Sequence, residues 1–419
     1  MANEPMLTVG PEGYPGKAIL VVAMCGVDPR PSSVLIDRKF HSGMLEYVRR
    51  LGRRLSCLMP RMSASDVRGA MDCVEVPLTE LPYRIHLVSS TQMRADDRKV
   101  VNQAVGEAAL AYVGNSDWYN IIVADRCRAA GVPYVIVSEY TLRTELDIMR
   151  ATTPSLLRRF VREVRLRHLH RRKLKMVAGA VEFHANGYPT YEELAVANPS
   201  RLLYFDTRAL QSDVISDAAL GARLDSFRAR TPRLLYSGRY HPMKGALDVV
   251  KAGIELQRRG FEFQLDLYGT GPLKEEMVAL VRDAGAQHKI SIHDPVPYKP
   301  DLVQISRRAD LFLSCHVQGD PSCTYLETFA CGVPVVGYAN EMWSPLCRES
   351  GAGRAVPVGE HGALAEQAMD LMKDHRALRQ ASTAARQFAL ANTMEMAWDK
   401  RAARLAALAD GEGSRSTVP

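Results

Sequence analysis

The sequence predicts an α/β protein built from two Rossmann-like domains. Short apolar, β-branched runs alternate with helical patterns, which is typical of strand–helix units that form parallel sheets. The length of 419 residues gives room for two or three domains with buried cores. A polar stretch closed by a proline, Asp225–Pro232, separates two series of such units, so we place the domain boundary there.

Ten apolar runs are predicted to be strands. Those of the first domain are Ala18–Met24, Arg84–Ser89, Tyr134–Ser138, Ala180–Phe183 and Arg201–Phe205. Those of the second domain are Arg233–Ser237, Phe263–Tyr268, Ile290–His293, Leu311–Cys315 and Val333–Val336. Between the first two strands, apolar residues from Met44 to Leu55 recur at helical spacing behind Ser42, the predicted N-cap.

The domain limits follow from these elements. We expect an N-terminal Rossmann-like domain at 17–230, a C-terminal one at 231–392 and a last helix at 393–409. The ends at 1–16 and 410–419 are rich in Pro, Gly and small polar residues, so we expect flexible tails there.

Composition excludes several classes of protein. Hydrophobic residues make up 47% and charged residues 24%, which excludes wholesale disorder and collagen-like repeats. The net charge of +7 is concentrated in 154–175, where nine Arg and Lys residues stand against Glu163 alone. Because the rest of the chain is nearly neutral, the charge argues against a general nucleic-acid binder.

The eight cysteines do not indicate a metal site or a disulfide framework. None forms a C-x-x-C pair or a zinc-like spacing with histidine. The sequence shows no signal peptide and no apolar stretch near the roughly 20 residues of a membrane span. We therefore expect a protein of the reducing cytoplasm that binds no zinc.

A first loop with binding chemistry, Ser237–Gly245, follows a predicted strand. Gly238 allows a sharp turn, and Arg239 and Lys244 place two cations beside the N-terminus of the next helix. Arg offers a planar fork, Lys a point charge and the helix end further positive potential, a combination that suits a diphosphate. The alternative is a surface turn whose cations are simply solvated.

A second loop, Tyr268–Pro272, also follows an apolar strand. Gly269 and Gly271 permit close approach of the backbone to a ligand, and Pro272 suits the first turn of a helix. Taken alone, this pattern is equally that of an ordinary strand–helix turn.

A third loop lies at Gly319–Gly337. Glu327 falls early in an apolar helix, where its carboxylate can bind two ribose hydroxyls. Free backbone N–H groups near Ser322, Cys323 and Thr324 can face a sugar or a phosphate. The alternative role of Glu327 is that of a helix-capping acid.

The order and spacing of the three loops resemble the retaining GT-B glycosyltransferases of family GT4, most clearly from Arg233 to Val358. That family carries a G-R-x4-K-G loop, a G-x-G-P loop and an E-x7-E element followed by A-x-G-x-P-V. The matching positions are Gly238, Arg239, Lys244, Gly245, Gly269, Gly271, Pro272, Glu327, Ala330, Gly332, Pro334 and Val335.

The resemblance implies roles for these residues. Arg239 and Lys244 would hold the donor diphosphate, and Glu327 the ribose. The backbone around Gly269–Gly271 and around Asp294–Pro297, which includes Val296, would approach the nucleotide and its base. It also implies a cleft between two facing domains, a helix at 393–409 that crosses back to the N-terminal domain, retention of anomeric configuration by front-face displacement, and no metal cofactor.

Two positions depart from the family pattern. The first Glu of E-x7-E, which contacts the donor sugar in relatives, falls on Gly319, and the adjacent Asp320 is one candidate to replace it. A different mode of sugar binding is the alternative. Where many relatives place a histidine in the first domain, this chain offers Glu139, either near the reaction centre or as a structural acid at a strand end.

The side chains of three further residues are not expected to take part in catalysis. His184 follows a predicted strand, where a lone histidine is more often structural. Cys315 precedes the third loop and Cys323 lies within it; neither thiol has a paired base, so packing is preferred to nucleophilic catalysis by these thiols.

The basic segment 155–175 is predicted to be an amphipathic helix. Its apolar residues are Leu156, Leu157, Phe160, Val161 and Val164. One apolar face among many arginines favours docking on an anionic membrane surface. The alternative is a helix whose apolar face packs on the first domain.

These observations lead to one main functional hypothesis. The chain is expected to move a hexose-type sugar from a nucleotide-sugar donor to a glycan or lipid-linked acceptor, in bacterial surface or exported polysaccharide synthesis. It would be cytoplasmic and peripheral on the inner face of the membrane. A nucleotide-sugar epimerase, a phosphorylase, or a catalytically silent nucleotide-sugar-binding partner remain as alternatives; nucleic acid is not an expected partner.

Overall fold

The computed structural model describes residues 17–23, 25–61, 72–90 and 96–411. The tail expected at 1–16 and all but the first two residues of the tail expected at 410–419 lie outside these residues. The chain forms two compact units. The first contains the residues up to Asn186, Thr190–Tyr204 and the residues from Trp398 onward, and the second contains Gly187–Pro189 and Phe205–Ala397.

The first unit is built on a seven-stranded parallel sheet in the order β10-β9-β8-β7-β1-β4-β6. Its strands are β1 Ala18–Val22, β4 Leu55–Pro60, β6 Arg84–Val88, β7 Ala108–Gly114, β8 Tyr134–Ser138, β9 Glu182–Asn186 and β10 Arg201–Tyr204. A small antiparallel sheet contains β2 Val27–Pro29, β3 Ser33–Asp37 and β5 Cys73–Pro77. All five strands predicted for the first domain are present, and β2, β3, β4, β5 and β7 were missed.

The helices described in this unit flank the seven-stranded sheet. They are α1 Arg38–Leu51, α2 Asp97–Gly106, α3 Trp118–Ala129, α4 Leu142–Thr152, α5 Leu156–Ala178 and the short α6 Tyr188–Glu193, whose first two residues belong to the second unit. The N-cap of α1 is Asp37, whose carboxylate accepts from the Phe40 amide at 2.6 Å. The prediction of Ser42 as the cap was wrong, because β3 runs directly into the helix; Leu55 belongs to β4.

The second unit contains a six-stranded parallel sheet in the order β13-β12-β11-β14-β15-β16. Its strands are β11 Arg233–Ser237, β12 Gln264–Tyr268, β13 Ile290–His293, β14 Leu311–Ser314, β15 Val335–Tyr338 and β16 Gly353–Val356. The order reverses between β11 and β14, and in doubly wound sheets ligands bind at that point, outside the carboxyl ends of the strands. The predicted α/β class with two Rossmann-like units is confirmed.

The helices of this unit lie before, between and after the strands of its sheet. They are α7 Asp217–Asp225, α8 Ala246–Arg258, α9 Lys274–Asp283, α10 Val303–Arg308, α11 Thr324–Ala330, α12 Trp343–Ser350, α13 His361–Lys373 and α14 His375–Ala391. A last helix, α15 Met394–Ala409, begins in the second unit and continues into the first.

The boundary between the units differs from the one placed at Asp225–Pro232. It lies at Tyr204, because the segment that follows is bonded to the second unit: the Ile215 amide donates to the Ala330 carbonyl at 2.8 Å. The buried Arg223 guanidinium also donates to the Cys331 carbonyl at 2.9 Å. The polar stretch is therefore a surface turn within the second unit.

The C-terminal part of α15 completes the core of the first unit. The Trp398 ring meets the Tyr47 ring edge-on, with centroids 4.8 Å apart. Arg401 is buried with its guanidinium 4.3 Å from the Tyr204 ring, and Leu405 is fully buried against the sheet.

Candidate functional site

Two loops lie side by side where the order of the second sheet reverses. One follows β11 and the other follows β14. The amide of Val317 donates to the Met243 carbonyl at 3.1 Å. Gly245 has a φ of 62°, and a Cβ atom at this position would lie 1.9 Å from the carbonyl oxygen of Cys315. Only glycine fits there, so the residue following Lys244 is fixed directly against the start of the β14 loop.

The two predicted phosphate-binding cations occupy different environments. Lys244 closes the helical turn Pro242–Lys244 and is only 7% exposed. Its ammonium group lies 2.7 and 2.9 Å from the two carboxylate oxygens of Asp320. Arg239 is exposed, and within the described part of the chain its guanidinium forms no ion pair. One cation is therefore held by an acid, and the other is open to solvent.

Glu327 also has a charged partner. It lies in the first turn of α11 and is 9% exposed. The Nε and Nη2 atoms of Arg208 donate to its two oxygens at 2.7 and 2.9 Å, which is the bidentate geometry of a strong charge-assisted pair. The guanidinium lies 4.0 Å from the centre of the Tyr298 ring. The carboxylate is thus oriented before any ligand arrives.

Arg208 was missed by the sequence analysis. It stands outside the three loops, in a segment that the sequence places in the first domain. Backbone hydrogen bonds attach this segment to the second unit, and such bonds leave no pattern in the sequence. Because the segment was assigned to the first domain, Arg208 was not considered as a neighbour of Glu327.

The glycines of the β12 loop make room for a neighbouring loop. A Cβ atom on Gly269 would lie 1.9 Å from the Gly238 carbonyl oxygen, and one on Gly271 would lie 2.4 Å from that of Tyr240. Backbone hydrogen bonds join the same loops, from the Tyr240 amide to the Thr270 carbonyl at 2.8 Å. In the structure these two glycines allow the β12 loop to lie directly against the β11 loop. Their predicted contact with a ligand stays a prediction.

A cavity of about 260 Å³ opens beside these loops. It is lined by Arg208, Ser237, Gly238, Arg239, Tyr268, Gly269, Thr270, Pro295, Val296, Leu302, Thr324 and Glu327. The predicted residues Lys244, Gly271, Asp320, Ser322 and Cys323 are adjacent in the loops but are not part of this lining.

The lining combines three kinds of chemistry. Arg239 supplies an open cation, and Glu327 supplies carboxylate oxygens that can accept from hydroxyl groups. The backbone of 268–270 and 295–296 supplies peptide groups beside the aromatic ring of Tyr268, which stacks on His293 at 4.5 Å. Ligand pockets typically enclose about 300–1,000 Å³, so this cavity matches part of a polar, anionic ligand such as a nucleotide.

Gly319 stands where relatives carry the first Glu of E-x7-E, and the structure leaves no room for a larger side chain there. A Cβ atom on Gly319 would lie 2.9 Å from the Cβ atom of Glu341, which follows β15. The Asp320 carboxylate is bound to Lys244. Any larger residue at 319 requires Glu341 to move, so the glycine is explained by packing.

His316 is a second residue that the sequence analysis missed. Its side chain is buried just after β14, and neither ring nitrogen has a hydrogen-bond partner among the described residues. Burial, together with the charges of Lys244 and Arg239, lowers the pKa of His316 well below its ordinary value. The imidazole beside the two cations is therefore neutral at pH 7.

Other predicted residues lie in the first unit. Glu139 is exposed at the end of β8. His184 is fully buried, and its Nε2 lies 3.1 Å from a Glu182 oxygen whose carboxylate also accepts from Arg404. Burial lowers the pKa of His184, which fits the structural role preferred above.

The cysteines and metal-binding groups add no further site within the described ranges. Cys315 is buried, and desolvation raises the pKa of its thiol well above the ordinary value, as expected for a packing residue. No group of three or more His, Cys, Asp and Glu residues stands in a metal-binding arrangement in that part of the chain.

The sequence is similar to known proteins over part of its length. Residues 226–388 match the family model of glycosyl transferases group 1. A GDP-mannose-dependent α-(1-6)-phosphatidylinositol monomannoside mannosyltransferase of Mycolicibacterium smegmatis is 29% identical over 187 residues, 43% of this chain and 48% of that protein. A D-inositol 3-phosphate glycosyltransferase of Arthrobacter is 28% identical over 193 residues, 45% of this chain and 42% of that protein. The chain spans about half the length of the curated relatives it matches.

Similarity of structure extends over both units. HepE from Anabaena, solved in complex with UDP, superposes with a TM-score of 0.62 at 13% identity, covering 92% of this chain and 98% of that one. At such low identity the likeness concerns the fold, and it confirms the GT-B class predicted from the loop motifs. Residues 226–388, which match the family model of glycosyl transferases group 1, lie within the unit that holds the cavity and both cations.

Proposed function

We propose that this chain is a retaining glycosyltransferase of the GT4 type. It moves a sugar from a nucleotide-sugar donor to a glycan or lipid-linked acceptor in the synthesis of a bacterial surface or exported polysaccharide. The observation that carries the proposal is the cavity between Arg239 and Glu327 at the reversal point of a sheet within the family-matched segment. The mannosyltransferase named above uses GDP-mannose, and HepE was solved with UDP, so a nucleoside diphosphate is the natural first probe.

Each site residue has a role in this proposal. Arg239 and Lys244 bind the donor diphosphate and offset the negative charge that grows on it as the sugar departs. For this, Lys244 exchanges the Asp320 carboxylate for phosphate oxygens. Glu327, held by Arg208, accepts hydrogen bonds from the ribose hydroxyls.

The chemical step is a substitution at the anomeric carbon. The bond from that carbon to the diphosphate oxygen breaks, and the nucleoside diphosphate leaves with the electron pair. The acceptor hydroxyl oxygen forms the new bond on the same face, and its proton passes to the departing phosphate oxygen. Fixed cations supply the charge stabilisation, and we propose that no metal ion is required.

Calorimetric titration with UDP, GDP, ADP and NAD tests the donor site. We expect one nucleoside diphosphate to bind with a micromolar Kd, with the same Kd in EDTA and in magnesium. Glu327→Gln should weaken that binding about tenfold, because an amide is a poorer acceptor for two ribose hydroxyls. Glu276→Gln, on the exposed first turn of α9, serves as the control with no change. Binding of NAD alone, or of no nucleotide, contradicts the proposal.

A second measurement separates transfer from the other reactions of a nucleotide-sugar protein. With the donor that binds, free nucleoside diphosphate should appear only when an acceptor is added. Conversion of the donor into an isomeric nucleotide sugar, or its hydrolysis by water without acceptor, indicates an epimerase, and dependence on inorganic phosphate indicates a phosphorylase. Binding without turnover over a broad panel of acceptors indicates a silent binding partner.

We also infer that the enzyme works in the cytoplasm, at the inner face of the cell membrane. Within the described ranges, no helix has the length and apolar character needed to cross a bilayer. Support for the membrane location comes from the exposed apolar face of α5.

A further inference from the structure

Helix α5 presents an apolar face to solvent. Five neighbouring side chains of its N-terminal half are between 52% and 77% exposed: Leu156, Leu157, Phe160, Val161 and Val164. Isolated exposed apolar residues are ordinary, but a contiguous apolar stripe on one helix marks an interaction surface. We call these five residues the α5 apolar stripe.

The stripe does not pack on the first unit, contrary to the alternative considered from the sequence. The C-terminal part of α5 is anchored in the core: Met176 and Val177 are buried, and the buried Lys173 ammonium lies 2.6 Å from a Glu145 oxygen. Nearer its N-terminus, Glu163 of α5 pairs with Arg150 at 3.3 Å and Leu169 packs partly against the core, while the five residues of the α5 apolar stripe stay exposed.

Positive charge surrounds the stripe. Arg158, Arg165 and Arg171 are exposed and form no ion pair among the described residues, whereas Arg167 is paired with Glu163 at 2.7 Å. Apolar side chains flanked by unpaired guanidinium groups complement a surface that has an apolar interior and a negatively charged outer layer. An anionic lipid bilayer has that arrangement, and long arginine side chains can reach its headgroups while the stripe enters the acyl region.

Trp118 extends the same surface towards the C-terminus of α5. Its ring is 42% exposed and lies 5.8 Å from the His168 ring and 5.8 Å from the Arg172 guanidinium. His168 and Arg172 follow Val164 at steps of four residues, so Trp118 continues the line of the stripe by about two turns. Tryptophan prefers the headgroup level of a membrane, where one part of its ring is apolar and its N–H is wet.

We propose that the α5 apolar stripe, its free arginines and Trp118 form a docking site for an anionic lipid bilayer. The helix lies in the plane of the interface, with the stripe in the outer acyl region and Trp118 among the headgroups. This inference deepens the proposed function, since it brings the transferase to a lipid-linked acceptor. Its test uses no nucleotide, so it can fail or succeed independently of the donor site.

Vesicle sedimentation tests the docking site on the full chain. We expect binding to vesicles of phosphatidylcholine mixed with phosphatidylglycerol, much weaker binding to phosphatidylcholine alone, and loss of binding at high salt. Leu157→Ser/Phe160→Ser should weaken binding about tenfold or more, and Arg158→Gln/Arg165→Gln should abolish the preference for anionic lipid. Val196→Ser is the matched control, because Val196 is 88% exposed on the same unit and lies outside the surface.

Tryptophan fluorescence then tests the orientation. Of the chain's three tryptophans, Trp343 is fully buried and Trp398 packs in the first unit, so Trp118 should give the blue shift when anionic vesicles are added. Trp118→Phe should remove the shift while the protein still sediments with vesicles. Equal binding by Leu157→Ser/Phe160→Ser and the parent chain, no binding to anionic vesicles, or tighter binding to a DNA duplex than to vesicles would each overturn the proposal.

Discussion

Replacing Lys244 by alanine is expected to reduce the rate of sugar transfer by about a hundredfold or more, the size of effect seen when a fixed group that stabilises transition-state charge is removed. Two causes act together. The diphosphate loses a cation, and the Asp320 carboxylate, now without its partner, faces the incoming phosphate. Steady-state rates with the donor identified by calorimetry measure the effect, and the Kd of the nucleoside diphosphate should rise about tenfold.

The double variant Lys244→Ala/Asp320→Ala separates these causes. If the missing cation dominates, the double variant stays as slow as the single one. If repulsion by Asp320 dominates, removing that carboxylate restores much of the activity. Lys251→Ala is a suitable control, because this lysine also pairs with an acid, Asp248 at 3.0 Å, but on the exposed side of α8. An unchanged rate and an unchanged Kd in Lys244→Ala would contradict the proposal that the β11 loop binds the diphosphate through Lys244.

Replacing Gly245 by alanine is expected to lower the free energy of unfolding by about 3 kcal/mol or more, within the range reserved for severe steric or backbone conflicts. The backbone φ of 62° costs a non-glycine residue about 1 kcal/mol. The new Cβ atom would overlap the Cys315 carbonyl oxygen at 1.9 Å, so the loops after β11 and β14 must separate. Nucleoside diphosphate binding should be lost with the loop contact, because Lys244 is the preceding residue.

Gly260→Ala provides the matched control for this substitution. Gly260 has a φ of 69°, and a Cβ atom there would meet no other atom within 4 Å. The Gly260→Ala variant therefore has only the cost of the unfavourable backbone φ. Urea unfolding should show a loss of about 1 kcal/mol in the free energy of unfolding, and nucleoside diphosphate binding should be unchanged. Equal losses for the two variants would mean that the β11 and β14 loops are not in tight contact.

Sequence patterns predicted the strands of the second sheet well, because its core strands are short continuous apolar runs bounded by turn residues. Tyr134–Ser138 in the first sheet was also exact for the same reason. The motif loops could be placed because parallel strands end at one edge of a sheet. β16 was missed, since it begins with Gly353 and contains a charged residue.

Contacts between distant segments could not be predicted in the same way. The pairing of Arg208 with Glu327 joins positions 119 residues apart, and neither the spacing nor the residue types indicate it. The unit boundary was misplaced because a polar surface turn, Asp225–Pro232, resembles a linker in composition, whereas the true junction after Tyr204 has no such composition. The ring nitrogens of His316 lack hydrogen-bond partners among the described residues because the side chain is buried in the folded chain. The order of residues along the sequence does not show such burial.

The division of helix α15 between the two units has a consequence for biosynthesis. The second unit is continuous from Phe205 to Ala397 apart from three earlier residues, so almost all of its contacts become available before the ribosome has made the last helix. The first unit lacks Trp398, Arg401 and Leu405 until then, and the face of its sheet around Tyr47 stays open. The N-terminal half of the chain is synthesised first but completes its core last, which makes it the part most exposed to misfolding on the ribosome.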